Sequence, residues 1–583
     1  MSYAAPVAEM RFVIEEMARL DDPELAEAIL KEAARFAETV LAPLNQPADR
    51  TGSRLENGVV RTPPGFREAY AQYVAGGWNG LAASPEHGGQ GLPASLAVPV
   101  AEMWSSAAMS FALCPLLNWG ALELLAAHGS PAQKALYLDK LTSGEWTGTM
   151  NLTEPQAGSD LGALRTRAVP AADVPGGEFY RITGQKIFIT YGDHDLADNI
   201  VHMVLARTPD APPGSRGISL FIVPKFLPAQ DERPGQRNGV RTLRLEEKLG
   251  IHASPTCVLA YEEALGWRVG EENRGLECMF TMMNSARLHV GVQGVAIAER
   301  AYQQARDFAR ERVQGRPLGA PPEAGALPII HHPDVRRMLL WMRSAVEAMR
   351  ALAYYAAATI DRARHAPDRA AREAASRRVD LLIPVVKAWC TDLAVSVAST
   401  ALQVHGGMGY IEETGAAQYL RDARILPIYE GTNGIQAMDL VGRKLARDVG
   451  EAARALIADM WQTAFAATDS PVTGLAYIGR MLANAIANLE IATAHILQDD
   501  PVRAAAGSRP YLELFGIITG GWLLARLALA AERQIAAKEG DSGYLAAKIA
   551  TARAYAEHFL ALTPGYLAAV EGGSVMDFPL ERL

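Results

Sequence analysis

The stretch Met150-Asn-Leu-Thr-Glu-Pro-Gln-Ala-Gly-Ser-Asp160 stands where the character of the chain changes. Before it, apolar residues recur at three- and four-residue steps. After it they come in short alternating runs. The stretch itself reads two ways. Thr153, Ser159 and the backbone around Gly158 can donate to a planar, carbonyl-bearing ring or to a phosphate. A turn-rich loop with a helix cap accounts for the same residues with no ligand.

Outward on the C-terminal side, residues 180–190, 200–206, 218–223 and 257–261 read as strands punctuated by Gly, Pro, Asp and Asn. They predict a β domain over 146–268. Phe188, on the strand segment Lys186-Ile-Phe-Ile-Thr190, is of a type usually found in a core. On the N-terminal side, residues 1–145 predict a helical domain. Leu25, Ile29, Ala33, Phe36 and Val40 mark one helix face, and 117–125 a second helix. The Gly- and Pro-rich loop 84–93 reads as a helix–helix connection.

Beyond the β domain the helical pattern returns. Residues 269–449 predict a bundle with helices at 294–312, 334–364 and 371–404, the last kinked or broken at Pro384. Residues 450–583 predict a further helical domain, with helices at 475–497, 511–538 and 544–562. Met279, Met282 and Met283 lie at helical spacing and read as core. The fold class is mainly α with an inserted β domain.

The 583 residues suffice for several domains, and 49% apolar content gives each a core. A net charge of −9 argues against a nucleic-acid binder. Cys114, Cys257, Cys278 and Cys390 match no disulfide or zinc spacing, which suits a reducing, cytoplasmic setting. Glu9 and Arg11 interrupt any signal-peptide core. The most apolar window, 512–531, holds Glu513 and Arg526, so buried helices are expected there and not a membrane span.

Three more stretches carry candidate chemistry. In Arg312-Val-Gln-Gly-Arg-Pro-Leu318, Arg312 and Gln314 suit a phosphate, and equally a charged helix end. Gln403-Val-His-Gly-Gly-Met-Gly409 resembles a phosphate-cradling loop but follows a helix, so it is no dinucleotide fingerprint. Its glycines permit close approach of backbone or ligand, and His405 has no metal-ligand spacing. No metal site is expected. In Arg424-Ile-Leu-Pro-Ile-Tyr-Glu430-Gly-Thr-Asn-Gly-Ile-Gln436, one carboxylate stands between an apolar run and a turn rich in donors. Apolar neighbours would raise the pKa of Glu430 toward that of a general base. A solvated helix entry, capped by Thr432 or Asn433, is the other reading.

Together these stretches resemble the acyl-CoA dehydrogenase flavoprotein family. Thr153 to Asp160 matches its Thr-Glu-Pro-x-Ala-Gly-Ser-Asp signature, and Lys186 to Thr190 its Lys-x-Trp/Phe-Ile-Thr strand. Arg312 to Gly315 is a shortened Arg-x-Gln/Thr-Phe-Gly. Gln403 to Gly409 is its Gln-x-x-Gly-Gly-x-Gly, and Tyr429 to Thr432 its Tyr-Glu-Gly-Thr. Order and spacing agree over about residues 35–445. Residues 3–7, 248–256, 279–287 and 311–316 look most like the large bacterial members with a C-terminal helical domain, similar to the 3-(methylthio)propionyl-CoA dehydrogenases.

The resemblance implies an N-terminal helical domain, a central β-barrel domain and a helical bundle, plus the extra C-terminal helical domain. It implies FAD as cofactor and α,β-dehydrogenation of an acyl-CoA, with Glu430 as base and N5 of the flavin as hydride acceptor. Ala286 stands where some members place their base, which leaves Glu430. The flavin is expected between the β domain and the bundle. Met150, Leu152, Thr153, Gly158 and Ser159 would face it, Phe188 and Thr190 would pack beside it, and Thr432 and Gly434 would touch it. Arg312, Gln314, Gln403, Gly406 and Gly407 would reach the cofactor of a neighbouring copy, implying a homodimer with a shared FAD site. Asn284, Arg287 and Gly431 are expected near the substrate, with Asn284 replacing a family Asp and Arg287 also readable as a bundle ion pair.

Electron-transfer flavoprotein is the expected oxidant of the reduced cofactor. An oxidase using oxygen is the nearest alternative. A non-catalytic DNA-binding flavoprotein of the same fold is another. Residues 451–583 hold ten Lys or Arg against fourteen Asp or Glu, the wrong sign for phosphate. The run 516–525 invites a membrane role, but the basic flanks of a surface-binding helix are sparse. The extension is expected to pack on the bundle.

Overall fold

The computed structural model describes residues 3–582 apart from 19, 21, 175–177, 230–232, 322 and 324. In chain order, α1 (Val7–Met17), α2 (Pro23–Phe36) and α3 (Ala42–Thr51) precede a hairpin of β1 (Arg54–Glu56) and β2 (Val59–Arg61). Then come α4 (Phe66–Ala75), α5 (Ala94–His128) and α6 (Pro131–Ser143). The strands are β3 (Trp146–Asn151), β4 (Arg167–Pro170), β5 (Phe179–Thr190), β6 (Asn199–Ala206), β7 (Ser219–Pro224), β8 (Phe226–Pro228), β9 (Pro234–Arg237), β10 (Val240–Leu245) and β11 (Thr256–Val269). The helices α7 (Gly275–Glu311), α8 (Pro333–His365), α9 (Arg369–His405), α10 (Ala416–Ala423) and α11 (Asn433–Asp439) follow. The C-terminal region is α12 (Glu451–Thr468), α13 (Thr473–Gln498), α14 (Pro501–Ala537), α15 (Ser542–His558) and α16 (Thr563–Glu571).

The chain forms two compact units. One holds Arg35–Pro93 and Ala107–His289; the other holds the chain up to Ala34, Ala94–Ser106 and everything from Val290.

In the first unit the sheet runs β3-β6-β7-β11-β5-β4, with β10 paired to β11. β3 and β6 are parallel and the other pairs antiparallel. Ala168 N–H donates to Arg207 O at 2.8 Å and Arg207 N–H to Thr166 O at 2.9 Å, returning β4 to the end of β6 and closing the barrel. Every residue of β6 and β7 is buried because both faces are covered. Val201, Met203, Leu220 and Ile222 pack outward on Leu117, Ala121 and Leu124 of α5 and on Met279 and Met282 of α7. Val204, Phe221 and Val223 pack inward with Ile182, Cys257, Leu259 and Tyr261. The methionines are core, as read, and Met283 packs on them. A Cβ at Gly148 would lie 2.3 Å from that of Ala121, so a glycine is needed where α5 crosses β3.

The second unit is helical. Gly291 and Gly294 of α7 lie where a Cβ would come within 2.5 Å and 2.7 Å of Val386 and Cys390 on α9. A Cβ at Gly516 of α14 would lie 2.3 Å from Trp389 Cγ, so the extension seats directly on the bundle. Buried charges tie these helices together. Arg350 donates to Glu102 at 2.6 Å and Glu299 at 2.8 Å, and Lys548 of α15 reaches Glu347 of α8 at 2.7 Å. Lys548 also bonds Glu9 of α1, where Tyr544 donates at 2.7 Å.

Several expectations need correction. α9 runs through Pro384 as one helix. Residues 381–390 are all buried, and this packing offsets the roughly 3 kcal/mol that an interior proline costs. α7 starts at Gly275, well before 294. Leu25 is 49% exposed, because the buried face of α2 is Ala26, Leu30, Ala33 and Ala34. The hairpin of β1 and β2 breaks the otherwise helical N-terminal region. Ala94–His128, 369–410 and Pro501–Ala537 are each long and apolar enough to cross a membrane, yet their most apolar windows are 89%, 83% and 89% buried within the fold.

Candidate active site

In the β-containing unit the loop after β3 is braced from below. Lys186 Nζ donates to Leu152 O and to Glu154 Oε1, both at 2.8 Å. Glu154 also accepts from Arg165 N–H at 2.7 Å, Thr166 N–H at 3.1 Å and Thr166 Oγ1 at 2.6 Å. Burial pulls the Glu154 carboxyl up, but the Lys186 ammonium and these donors outweigh it and hold it at about 2. Ile187 N–H donates to Thr153 O at 2.9 Å, and Thr149 Oγ1 to Thr190 O at 2.7 Å. These bonds bring Thr153, Thr190 and Phe188 to one place. The Leu152 side chain is core, and Met150 packs against that core. Gly158 and Ser159 are exposed, with Asp160 capping the turn behind them.

Phe188 is not core. Ile189 pairs with Cys257 and Lys186 with Leu259, so two residues of β5 oppose Val258 in a bulge. Within it Phe188 takes φ +60° and its ring is 60% exposed. The phenyl therefore faces solvent from a sparsely populated backbone conformation.

In the helical unit Glu430 lies in the loop between α10 and α11, with φ +56° and Gly431 at φ +85°. A glutamate in this region is strained unless its surroundings fix it. Both ends of the loop are tied down. Lys387 Nζ, fully buried on α9, donates to Leu426 O at 2.9 Å and Asn433 Oδ1 at 2.8 Å. Asn433 N–H closes the turn on Pro427 O at 3.0 Å. Gln436 Nε2 donates to the carbonyls of Glu430 and Gly431, each at 3.4 Å. Tyr429 OH donates to Gln293 Oε1 of α7. Burial, and then the adjacent Glu430 carboxyl, pushes the Tyr429 phenol well up. The helix cap is Thr432, whose Oγ1 accepts from Ile435 N–H at 3.2 Å. Asn433 serves as the anchor instead.

The other expected residues fall as follows. Arg312 and Gln314 follow α7 in an exposed segment paired by its backbone to Leu327 and Ile329. Gln403 is exposed near the end of α9, and Gly406 takes φ +60° just past it. A Cβ at Gly406 or Gly407 would meet nothing within 4 Å, and one at Gly434 only Thr432 Oγ1 at 3.8 Å. His405 is buried, lies with its ring centroid 4.6 Å from that of Phe308 at a 30° tilt, and bonds Ala401 O. Asn284 is half-buried and Arg287 is 5% exposed, both on the part of α7 that belongs to the β-containing unit.

Sequence reading missed Glu154, Lys186, Lys387 and Gln293, which hold the expected residues in place. The one legible sign was chemical. Lys387 sits alone in the apolar run Leu-Leu-Ile-Pro-Val-Val-Lys-Ala-Trp, where a cation must have partners.

Four family models match in order: acyl-CoA dehydrogenase N-terminal domain at 23–145, middle domain at 149–264, C-terminal domain at 273–445, and acetyl-CoA dehydrogenase C-terminal like at 453–579. The chain is 51% identical to 3-methylmercaptopropionyl-CoA dehydrogenase of Ruegeria pomeroyi, over 96% of each chain. The chain belongs to the acyl-CoA dehydrogenase family. It is an acyl-CoA dehydrogenase of the large, four-segment kind. It is also 33% identical to the broad-specificity linear acyl-CoA dehydrogenase FadE5 of Mycobacterium tuberculosis, over 94% of this chain and 92% of that one. The acyl-CoA dehydrogenase from Bacillus anthracis, complexed with FAD, shares its fold with a TM-score of 0.75 at 21% identity, over 97% of this chain and 93% of that one.

Proposed function

We propose that this acyl-CoA dehydrogenase acts on 3-(methylthio)propionyl-CoA, with Glu430 as the base that removes the α-proton. The left-handed, doubly anchored loop that presents Glu430 carries this reading. The substrate is that of the 51% identical 3-methylmercaptopropionyl-CoA dehydrogenase of Ruegeria pomeroyi.

FAD is the cofactor, and the residues present fit it. The exposed Phe188 ring suits the face of a planar ring system. The half-buried Thr153 and exposed Ser159 hydroxyls suit the ring's polar edge. The open backbone at Gly406, Gly407 and Gly434 leaves room for a cofactor's polar chain. When bound, FAD accepts the β-hydrogen as a hydride at N5.

The chain's own residues do the rest. Glu430 takes the α-proton, and its backbone N–H donates to the thioester oxygen as charge develops there. One such preset donor contributes about 3–4 kcal/mol. Gly431 lets the backbone turn away so that the carboxylate and not the main chain meets the substrate. Asn284 and Arg287 are assigned to the CoA side. The exposed Arg312, Gln314 and Gln403 are assigned to the cofactor of a second copy, in a cytoplasmic homodimer that passes electrons to electron-transfer flavoprotein.

The test is an anaerobic titration of the purified yellow protein with straight-chain acyl-CoAs of rising length and 3-(methylthio)propionyl-CoA, following flavin absorbance. Bleaching by the methylthio substrate, lost in Glu430→Gln, supports the reading. Bleaching only by longer straight chains reassigns the substrate, and no bleaching by any thioester overturns the reading. Rapid reoxidation by oxygen alone would replace the dehydrogenase partner with the oxidase alternative.

A further inference from the structure

The loop that carries Glu430 is held by a chain of polar contacts that does not stop at the bundle. Asn433, at its C-terminal end, accepts from Lys387 and donates its amide hydrogens to Ala388 O at 3.1 Å and Thr391 Oγ1 at 2.9 Å, on the turn of α9 that runs on into Asp392. Asp392 in turn accepts from Arg509 Nη2, and Arg509 belongs to α14 of the C-terminal extension. Arg509 Nη1 lies 3.6 Å from Glu513 Oε2, one turn further along α14. The backbone follows the same route: α11, which begins at Asn433, packs on both α9 and α14.

The charges facing this chain come from every element around it. Lys387 and Asp392 are on α9, Arg424 is at the start of the loop, Arg509 and Glu513 are on α14, and Tyr555 and Tyr566 lie on α15 and α16. Arg509 is the cation on α14 that meets Asp392. Without it, Asp392 loses the contact that clamps α14 onto the turn of α9 holding Asn433. That turn of α9 would then shift under Asn433, and the turn at Glu430 would relax.

We propose that Arg509 is a positioning residue for the reaction: by clamping α14 at Asp392 onto the turn of α9 that holds Asn433, it fixes the loop that aims Glu430. The extension is thereby part of the catalytic apparatus and not an added surface. The proposal rests on Glu430 being the base, so Glu430→Gln is carried as a separate control.

The experiment uses the full-length, FAD-loaded enzyme and compares wild type with Arg509→Gln, Arg509→Lys and Asp392→Asn. FAD content and thermal midpoint are measured first. Hydrogen–deuterium exchange is then followed in peptides spanning 425–436, and kcat and KM are measured with the acyl-CoA that bleaches the flavin. A misaimed base loses about tenfold to a hundredfold in kcat while KM moves little. Arg509→Gln and Asp392→Asn are expected to lose kcat on that scale and to exchange faster at 425–436. Arg509→Lys should recover most of both. Should Arg509→Gln fail to fold, Asp392→Asn and Arg509→Lys decide alone. Loop exchange and kcat within twofold of wild type in a folded, loaded variant overturn the proposal, as does a fall in kcat with unchanged exchange. Undiminished activity in Glu430→Gln would sink the assignment of the base instead.

Discussion

Glu430 occupies a backbone conformation that glutamate seldom takes, and Lys387, Asn433 and Gln436 hold it there. Removing its carboxylate should leave the loop intact and abolish the proton step. Glu430→Gln is expected to keep its FAD and to lose about 10²–10⁴ in kcat, read by single-turnover flavin reduction. Glu154 shows the opposite case, a carboxylate with a structural task. Its Lys186 partner is fully buried, so Glu154→Gln leaves an uncompensated cation and should cost about 3–5 kcal/mol in a urea titration. Because the folded Glu154 carboxyl sits at about 2, below its ordinary value of 4.5, it stabilises the fold fully above that value. That stability is lost as pH falls from 4.5 through 2. Glu513 runs the other way. Burial raises it to about 7 despite Arg509, so its stabilising effect is complete below 4.5 and lost as pH rises through 7. Glu513→Gln should therefore flatten the decline between those limits and be the more stable protein at pH 8, by up to roughly 3 kcal/mol. Glu430 reads as the base through the family resemblance, because its flanking turn alone fits a solvated helix entry as well. Lys387 and Asn433 were not read as partners because 46 residues separate them and their meeting depends on how α11 seats on α9.

At the scale of elements, the strongly periodic pieces were the readable ones. β5, β6 and β7 and the long helices stood out because one face or both are buried along their whole length. The strands missed were β1 to β4 and β8 to β10; most are short, exposed on at least one face or rich in Arg and Pro, and β3, though buried, carries Gly148 and few apolar residues, so nothing in their pattern separates them from loops. Phe188, which by residue type alone reads as core, is exposed because of a bulge, and the bulge depends on register with β11 rather than on β5 itself. Helix α14 illustrates a glycine whose purpose becomes visible only in packing. Gly516 and Gly520 face Trp389, which is fully buried, and a Cβ at either would come within 2.3 Å or 2.9 Å of the indole. A wedge there cannot be absorbed by a flexible side chain. Gly516→Ala is expected to destabilise the protein by about 1–3 kcal/mol, less what alanine gains over glycine in helix propensity. A urea midpoint equal to that of wild type would show that α14 can shift off α9 freely, and would weaken the case for a rigid path from Arg509 to the base.

For the whole molecule the open matter is how many chains make one functioning site. Arg312, Gln314 and Gln403 are exposed, and Gly406 and Gly407 present bare backbone beside them. A phosphate-bearing cofactor held by a second copy would use such a surface. If the FAD site is shared in this way, two different defects complement. In a heterodimer of Arg312→Ala and Glu430→Gln chains, the subunit with an intact Glu430 has its FAD held by the intact Arg312 of the other. That site is complete, and the remaining one carries both lesions. Each parent homodimer is expected to be nearly inactive, provided Arg312→Ala loses its FAD. Unfolding and refolding an equal mixture with excess FAD should restore about a quarter of wild-type activity, since half the dimers are mixed and each has one intact site. Were every site built within one chain, each subunit of the mixture would still carry its own defect and no activity would return. Recovery can therefore come only from a site assembled across two copies, whatever the substrate proves to be.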